Sequence, residues 1–226
     1  MKFPGKPILI ILFLFLFASM YSQNYGEVLF IDFETPDTSI RFVDPENNCW
    51  IIGEPDKSLL ATPYSGQRAI MTDTLNPYPP GNRSSFTITI PQEEYFDNSD
   101  FLLEFYHYLD CDTLIDSAYV DFSFDGGQNW YKGADRIDIF TANHMRRYFY
   151  GSNTGGNYAL DAVISGNSAG WIHEKYQFTW YYALKKSQSE LYYPDSIIIR
   201  WNFISQDNPG NKDGWMIDDI YYYFSG

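Results

Sequence analysis

The stretch Ser117-Ala118-Tyr119-Val120-Asp121-Phe122-Ser123-Phe124 alternates without a break. Ala118, Val120, Phe122 and Phe124 fall on one face and Ser117, Tyr119, Asp121 and Ser123 on the other, the period of a half-buried β-strand. The same spacing groups Phe101, Leu103, Phe105 and Leu109, and again Ile197, Ile199, Trp201 and Phe203. Residues 28–33, 67–72, 84–90, 171–180 and 215–223 are further strand candidates, so eight or more strands are expected. Turn chemistry separates them at Pro77 to Gly81, at Asp125-Gly126-Gly127 and at Asn208-Pro209-Gly210. The Gly, Asn and Ser-rich tracts 150–157 and 165–170 read as long loops. Residues 181–193 lack both turn residues and alternation, and a short helix is expected there. No fixed-period repeat is visible, which argues against a propeller or solenoid. The reading is an all-β antiparallel β-sandwich.

The chain opens with Lys2 and Lys6, runs through an apolar stretch from Ile8 to Ala18 and turns polar at Ser22. That is the layout of a secretory signal peptide, expected over residues 1–22, with residues 23–226 as one domain. The apolar run is shorter than the ~20 residues that a membrane-crossing helix needs, so no membrane span is expected and the location is secreted, extracellular or periplasmic. Losing Lys2 and Lys6 takes the formal net charge from −14 to −16, and such a surface repels polyphosphates. Nucleic acid is therefore not an expected partner. Cys49 and Cys111 each lie beside a strand-like segment and could form a disulfide in an oxidising compartment, with two free thiols as the alternative.

Catalytic signatures are absent. Of His107, His144 and His173, only His173 is followed by a glutamate, and no second histidine stands four residues on. His107 shares the strand face of Phe105 and Leu109 and reads as a buried, hydrogen-bonded side chain. No nucleophile elbow, phosphate loop or dinucleotide fingerprint occurs. Ser123 to Trp130 fits S-x-D-x-G-x-x-W, the Asp-box hairpin of sialidase-type propellers, but a single copy reads as a stable turn with Asp125 bonded to turn amides. Paired carboxylates close in space but not in sequence leave an enzyme acting on glycosides as an alternative.

A set of motifs in order carries a resemblance: Asp32-Phe33-Glu34, Trp50-Ile51-Ile52-Gly53, Ser65-Gly66-Gln67-Arg68-Ala69, the Asp125-Gly126-Gly127 hairpin ending in Trp130, and Asp213-Gly214-Trp215-Met216-Ile217-Asp218-Asp219-Ile220. Together they resemble the MAM-like and carbohydrate-binding-module jelly rolls of secreted bacterial proteins. The resemblance implies a jelly-roll (concanavalin-like) antiparallel β-sandwich and a non-catalytic binding role. It also implies a structural calcium ion that ties the first strand to the last, through Glu34 and one of Asp218 and Asp219. Strand neighbours point to opposite faces, so Asp218 is preferred and backbone carbonyls or water would complete the shell.

Aromatic residues make up 19% of the chain, more than one sandwich core is expected to bury. Tyr148, Tyr150, Trp180, Tyr181 and Tyr182 lie in or beside the expected loops and form the candidate stacking platform for a sugar. The leading functional expectation is a secreted non-catalytic module that binds an extracellular glycan, or alternatively a structural or adhesion protein with a cell-surface protein partner. Glycan binding predicts exposed aromatics gathered on one face, whereas adhesion predicts a flat apolar patch or an open sheet edge.

Overall fold

The computed structural model describes residues 28–91, 100–113, 115–133, 146–151, 154–159, 163–179, 184–187, 190–192, 195–207 and 210–225, without the side chains of 146–151, 154–159, 178–179, 184–187, 190–192 and 225. In chain order the strands are β1 (Leu29–Ile31), β2 (Ile40–Val43), β3 (Trp50–Gly53), β4 (Ala69–Thr72), β5 (Arg83–Pro91), β6 (Asp100–Asp110), β7 (Ser117–Ser123) and β8 (Tyr131–Lys132). They continue with β9 (Arg146–Gly151), β10 (Thr154–Ala159), β11 (Ile172–Thr179), β12 (Leu184–Ser187), β13 (Glu190–Tyr192), β14 (Ser196–Ile204) and β15 (Gly214–Ser225). The larger sheet has the order β10-β9-β11-β6-β15-β4-β3, with β1 also on β15, and the smaller has β2-β5-β14-β7-β8. Every pairing is antiparallel. From β4 onward the main strands β5, β7 and β14 of the smaller sheet alternate along the chain with β6, β11 and β15 of the larger. This wrapping makes the sandwich a jelly roll.

The alternation that marks the strands also builds the core. Ala118, Val120, Phe122, Ile197, Ile199, Trp201 and Phe203 of the smaller sheet are buried against Phe101, Leu103, Phe105, Leu109 and Trp215 of the larger. Aromatic rings bridge the layers: Phe105 meets Trp201 edge-on at 5.8 Å, and Trp50 meets Phe86 edge-on at 4.9 Å. Each such ring contact adds about 0.5–1.5 kcal/mol to the burial itself.

Three expectations are corrected. Residues 146–151 and 154–159 pair as a hairpin, with Asn157 opposite Phe149 and Tyr158 opposite Tyr148, where a long loop was expected over 150–157. Residues 184–187 and 190–192 form a two-stranded sheet in place of the expected helix. In both segments a pairing partner lies only a few residues away along the chain, and the strand preference of Tyr, Phe and Leu is then realised. Lastly, Cys49 and Cys111 are both buried free thiols. Cys49 precedes β3 and Cys111 follows β6, with β4 and β15 between them in the sheet. Three strand spacings separate the thiols by about 14 Å, twice the Cα separation a disulfide tolerates.

Candidate functional site: an aromatic face on the larger sheet

Along β6 the odd positions from Phe101 to Leu109 point into the sandwich, which leaves Glu104, Tyr106 and Tyr108 on the outer face. On β11, Glu174 and Tyr176 are buried while His173 and Lys175 face outward beside β6. On β15, Tyr222 and Phe224 are buried and Tyr221 and Tyr223 face outward. The segment between β3 and β4 crosses this face. Its Leu60 seals a small apolar cluster with Ala69, Met71 and Met216, against which Tyr108 and Trp171 pack.

Beyond that seal the face stays open, and its rings are ordered. Tyr64 stacks on Tyr106 with centroids 3.6 Å apart and planes 11° apart. Tyr106 in turn stacks on His173 at 4.8 Å. Trp171 stands edge-on to Tyr64 at 5.5 Å and to Tyr108 at 6.1 Å. Phe30 stacks on Tyr221 at 4.4 Å and is 47% exposed. Between the two groups of rings runs an open groove of about 270 Å³ lined by Val28, Glu104, Tyr106, His173, Tyr221 and Tyr223.

The groove floor is polar. Glu104 accepts hydrogen bonds from Tyr223 Oη at 2.8 Å and Lys175 Nζ at 3.1 Å, and lies 2.9 Å from His173 Nε2. Burial alone would raise its pKa, but the bonds from His173, Tyr223 and Lys175 outweigh it and hold the carboxyl at about 2. A fixed carboxylate among flat rings can accept hydroxyl protons while the rings stack on the CH face of a sugar. Beneath it, Trp215 Nε1–H donates to His107 Nδ1 at 3.1 Å, so the other ring nitrogen carries the proton that faces Glu174 Oε2 at 3.2 Å. His107 is thus the buried, hydrogen-bonded side chain expected from its strand face.

A second constellation adjoins the rings. On one edge of β15, the neighbour changes from β4, which pairs at Met216 and Ile217, to β1, which pairs from Ile220 to Tyr222. At the changeover the register slips and Asp219 adopts a φ of 48°. This bulge breaks the strand alternation. In consequence both neighbouring acids reach the same serine: Ser65 N–H donates to Asp218 Oδ2 at 3.0 Å and Ser65 Oγ–H donates to Asp219 Oδ1 at 2.8 Å. The expectation that only one of the pair can face this corner is therefore corrected. Glu34 joins from the other side, accepting the Gln67 and Arg68 amides at 2.8 Å each. Those two amides hold Glu34 below the usual carboxylate range. Gly66 makes this approach possible: its φ is 59°, and a Cβ there would lie 2.2 Å from Glu34 Oε1.

Burial, then the neighbouring Asp219 charge, pushes Asp218 up to about 7 against the pull of the Ser65 amide. Asp219 is raised too, by burial first and then by the charges of Asp32 and Glu34. Four carboxylates thus surround the start of β4, and none forms an ion pair among the described residues. No three acidic, histidine or cysteine side chains among the described residues converge closely enough to hold an ion unaided.

Of the platform residues expected from sequence, Tyr148 and Tyr150 stand in β9 at the register positions opposite Lys175 and His173. Their side chains, and Trp180, Tyr181 and Tyr182 altogether, lie outside the described residues. Sequence reasoning passed over Tyr64, Tyr106, Tyr108, Trp171 and Tyr221. The signal for Tyr106 and Tyr108 was present, since they occupy the alternate positions of a strand whose core face was recognised.

Comparison of the sequence with family models and with curated proteins finds no match. Among solved structures, the chain is similar to the CBM22-1 xylan-binding domain from Paenibacillus barcinonensis Xyn10C, at 11% identity over 88% of this chain and 95% of that one, with a TM-score of 0.42. It is also similar to the K1 cleaved adhesin domain of Lys-gingipain from Porphyromonas gingivalis W83, at 12% identity over 87% and 98% of the two chains, with a TM-score of 0.41. The C-terminal CBM6 of LamC, a laminarinase from Zobellia galactanivorans, matches at 11% identity over 87% and 98%, with a TM-score of 0.38. These likenesses are in overall shape only, and the MAM-like half of the expected resemblance has no counterpart among the three. Among the described residues no helix is long and apolar enough to cross a membrane.

Proposed function

We propose that this chain is a secreted, non-catalytic binding module, extracellular or periplasmic, that holds an extended glycan on the outer face of its larger sheet. One observation carries the reading: Trp171, Tyr64, Tyr106 and His173 form a continuous ring array beside an open groove with an ionised carboxylate at its floor. Flat rings on a rigid sheet offer stacking area without a folding rearrangement, and an open groove admits a chain that continues past both ends. The formal net charge of −14 favours a neutral polysaccharide on this face.

In the same reading, a structural calcium ion ties Glu34 to the Asp218 and Asp219 pair at this corner, with fewer than three of these carboxylates in direct contact with it. The donors are all hard oxygens, and a divalent cation would neutralise the charge that burial makes costly there. Backbone carbonyls and water would supply the remaining ligands.

The reading is tested by a glycan array and pull-down on insoluble neutral polysaccharides, with released sugars assayed in parallel. Binding that is lost in Tyr106→Ala and Trp171→Ala, without sugar release, is expected. Sugar release would make the protein an enzyme, and no binding by a folded protein would favour a protein partner.

A further inference from the structure

The smaller sheet carries the reverse of the chain's charge. Arg41, Thr87, Arg200, Asp121 and Lys132 stand directly opposite one another across β2, β5, β14, β7 and β8. The next row on the same face is Ser85, Asn202 and Tyr119, and the row beyond it begins with Arg83 opposite Ile204. Acids outnumber bases 29 to 15 in the whole chain, yet among the described residues these rows hold four cations, Arg41, Arg83, Arg200 and Lys132, to one carboxylate.

That carboxylate is fully engaged. Asp121 accepts both Nε and Nη2 of Arg200, at 3.0 and 2.7 Å, and Asn202 Nδ2 at 2.9 Å. The Arg200 guanidinium also lies 3.6 Å over the Trp130 ring, where the Asp-box hairpin holds the indole through Nε1–H to Gly127 O at 2.9 Å. Arg200 is therefore rigid, with its Nη1 facing no partner among the described residues. Arg83 is exposed and makes no ion pair or hydrogen bond there either. Tyr119 stands in the row beside Arg200 and Asp121, close enough to feel the charges of Asp121, Arg200 and Arg83, and Lys132 Nζ lies 4.6 Å over its ring.

We propose that the outer face of the smaller sheet is a second binding site, for the carboxylate or sulfate groups of an acidic polysaccharide. The planar Arg83 guanidinium can meet such an oxyanion in two-point geometry, Arg200 adds its Nη1, and Arg41, whose Nη1 bonds the Ile40 carbonyl at 3.0 Å, adds charge, while the Tyr119 and Trp130 rings beside them offer surface to the sugar. The cations are spread over β2, β5, β14 and β8, which fits a polymer and not an enclosed small molecule. At physiological salt the Debye length is about 8 Å, so this local cluster outweighs the acidic remainder of the surface for a chain already in contact. A duplex nucleic acid, with one charge per about 1.7 Å, meets far stronger repulsion from that remainder than a chain bearing one charge per sugar.

Calorimetry of the mature chain in a Tyr106→Ala background, at about 0.15 M salt, separates this site from the platform. The probes are polygalacturonate and cellulose sulfate, with methyl-esterified polygalacturonate and hydroxyethyl cellulose as neutral counterparts. At least one anionic polymer is expected to bind and the neutral ones not. Arg83→Gln combined with Tyr119→Phe should weaken that binding roughly tenfold or more, as loss of charge-assisted bonds does, with an unchanged melting temperature. No anionic binding, equal binding of the neutral counterparts, unchanged affinity in the double variant, or equally tight binding of single-stranded DNA would overturn the proposal.

Discussion

The Tyr64 ring lies parallel to the Tyr106 ring at 3.6 Å, although the first comes from a connecting segment and the second from the middle of β6. The join is made next to Tyr64, where Ser65 bonds both Asp218 and Asp219. Tyr64 is 44% exposed, so its packing contributes little to stability. Tyr64→Ala is expected to weaken glycan binding by roughly threefold to tenfold, the range of one stacked ring, while the melting temperature stays within a degree or two. A large loss of stability would mean that the ring is structural.

Asp218 yields a pH signature in the absence of metal. Its folded pKa of about 7 lies above the ordinary value of 3.8, so its stabilising contribution is complete below pH 3.8 and is lost as the pH rises through about 7. In EDTA the melting temperature should therefore rise as the pH is lowered from 8 to 5. Asp218→Asn should reduce that dependence to the smaller part contributed by Asp219, whose pKa is raised as well. Calcium should flatten it and raise the melt, by about 2.7 kcal/mol of stability when its concentration is a hundredfold above Kd. A calcium-insensitive melt would remove the ion from the corner.

Glu104 acts in the opposite sense and in another window. Its pKa of about 2 lies below the ordinary 4.5, so the stability it contributes is present above 4.5 and lost as the pH falls through about 2. The loss should amount to something on the order of 2 kcal/mol. Urea melts between pH 2 and 5 should show this slope, and Glu104→Gln should reduce it.

The single Asp-box hairpin should behave as a structural turn. Asp125 Oδ1 accepts the Gln128 and Asn129 amides at 3.0 and 2.9 Å, and Gly126 and Gly127 have φ values of 71° and 89°. Asp125→Ala should cost about 1–3 kcal/mol of folding stability, because the turn amides lose a charged acceptor. Since Trp130 seats Arg200, the same variant should also weaken binding of acidic polymers; a stable turn without Asp125 would contradict this account.

Both thiols should stay reduced and unreactive in the native protein. Burial pushes Cys111 up to about 12 and raises Cys49 as well, so neither forms appreciable thiolate at neutral pH. Iodoacetamide should label them only after unfolding. An intact mass two units below that of the reduced chain would establish the disulfide instead.

The strands β6, β7 and β14 were legible because each buries one face in a common core, and burial of alternate residues writes itself into local sequence. The hairpin at Asp125 was legible for a similar reason, its bonds closing within five residues. The choice between Asp218 and Asp219 was not. Strand alternation would have sent them to opposite faces, and the bulge that overrides it is a slip of register against β6 at the point where β15 exchanges β4 for β1 on its other edge.

Local periodicity and turn chemistry therefore sufficed to establish an all-β sandwich, since both act between residues a few positions apart. The tertiary structure alone decided which aromatic rings gather on the larger sheet. Tyr64, Tyr106 and Trp171 lie far apart in the chain and meet through the crossing of one connecting segment. The row of cations on the smaller sheet is likewise set by the register of five strands, from β2 to β8. Register between distant strands depends on how the whole core packs, and no local pattern encodes it.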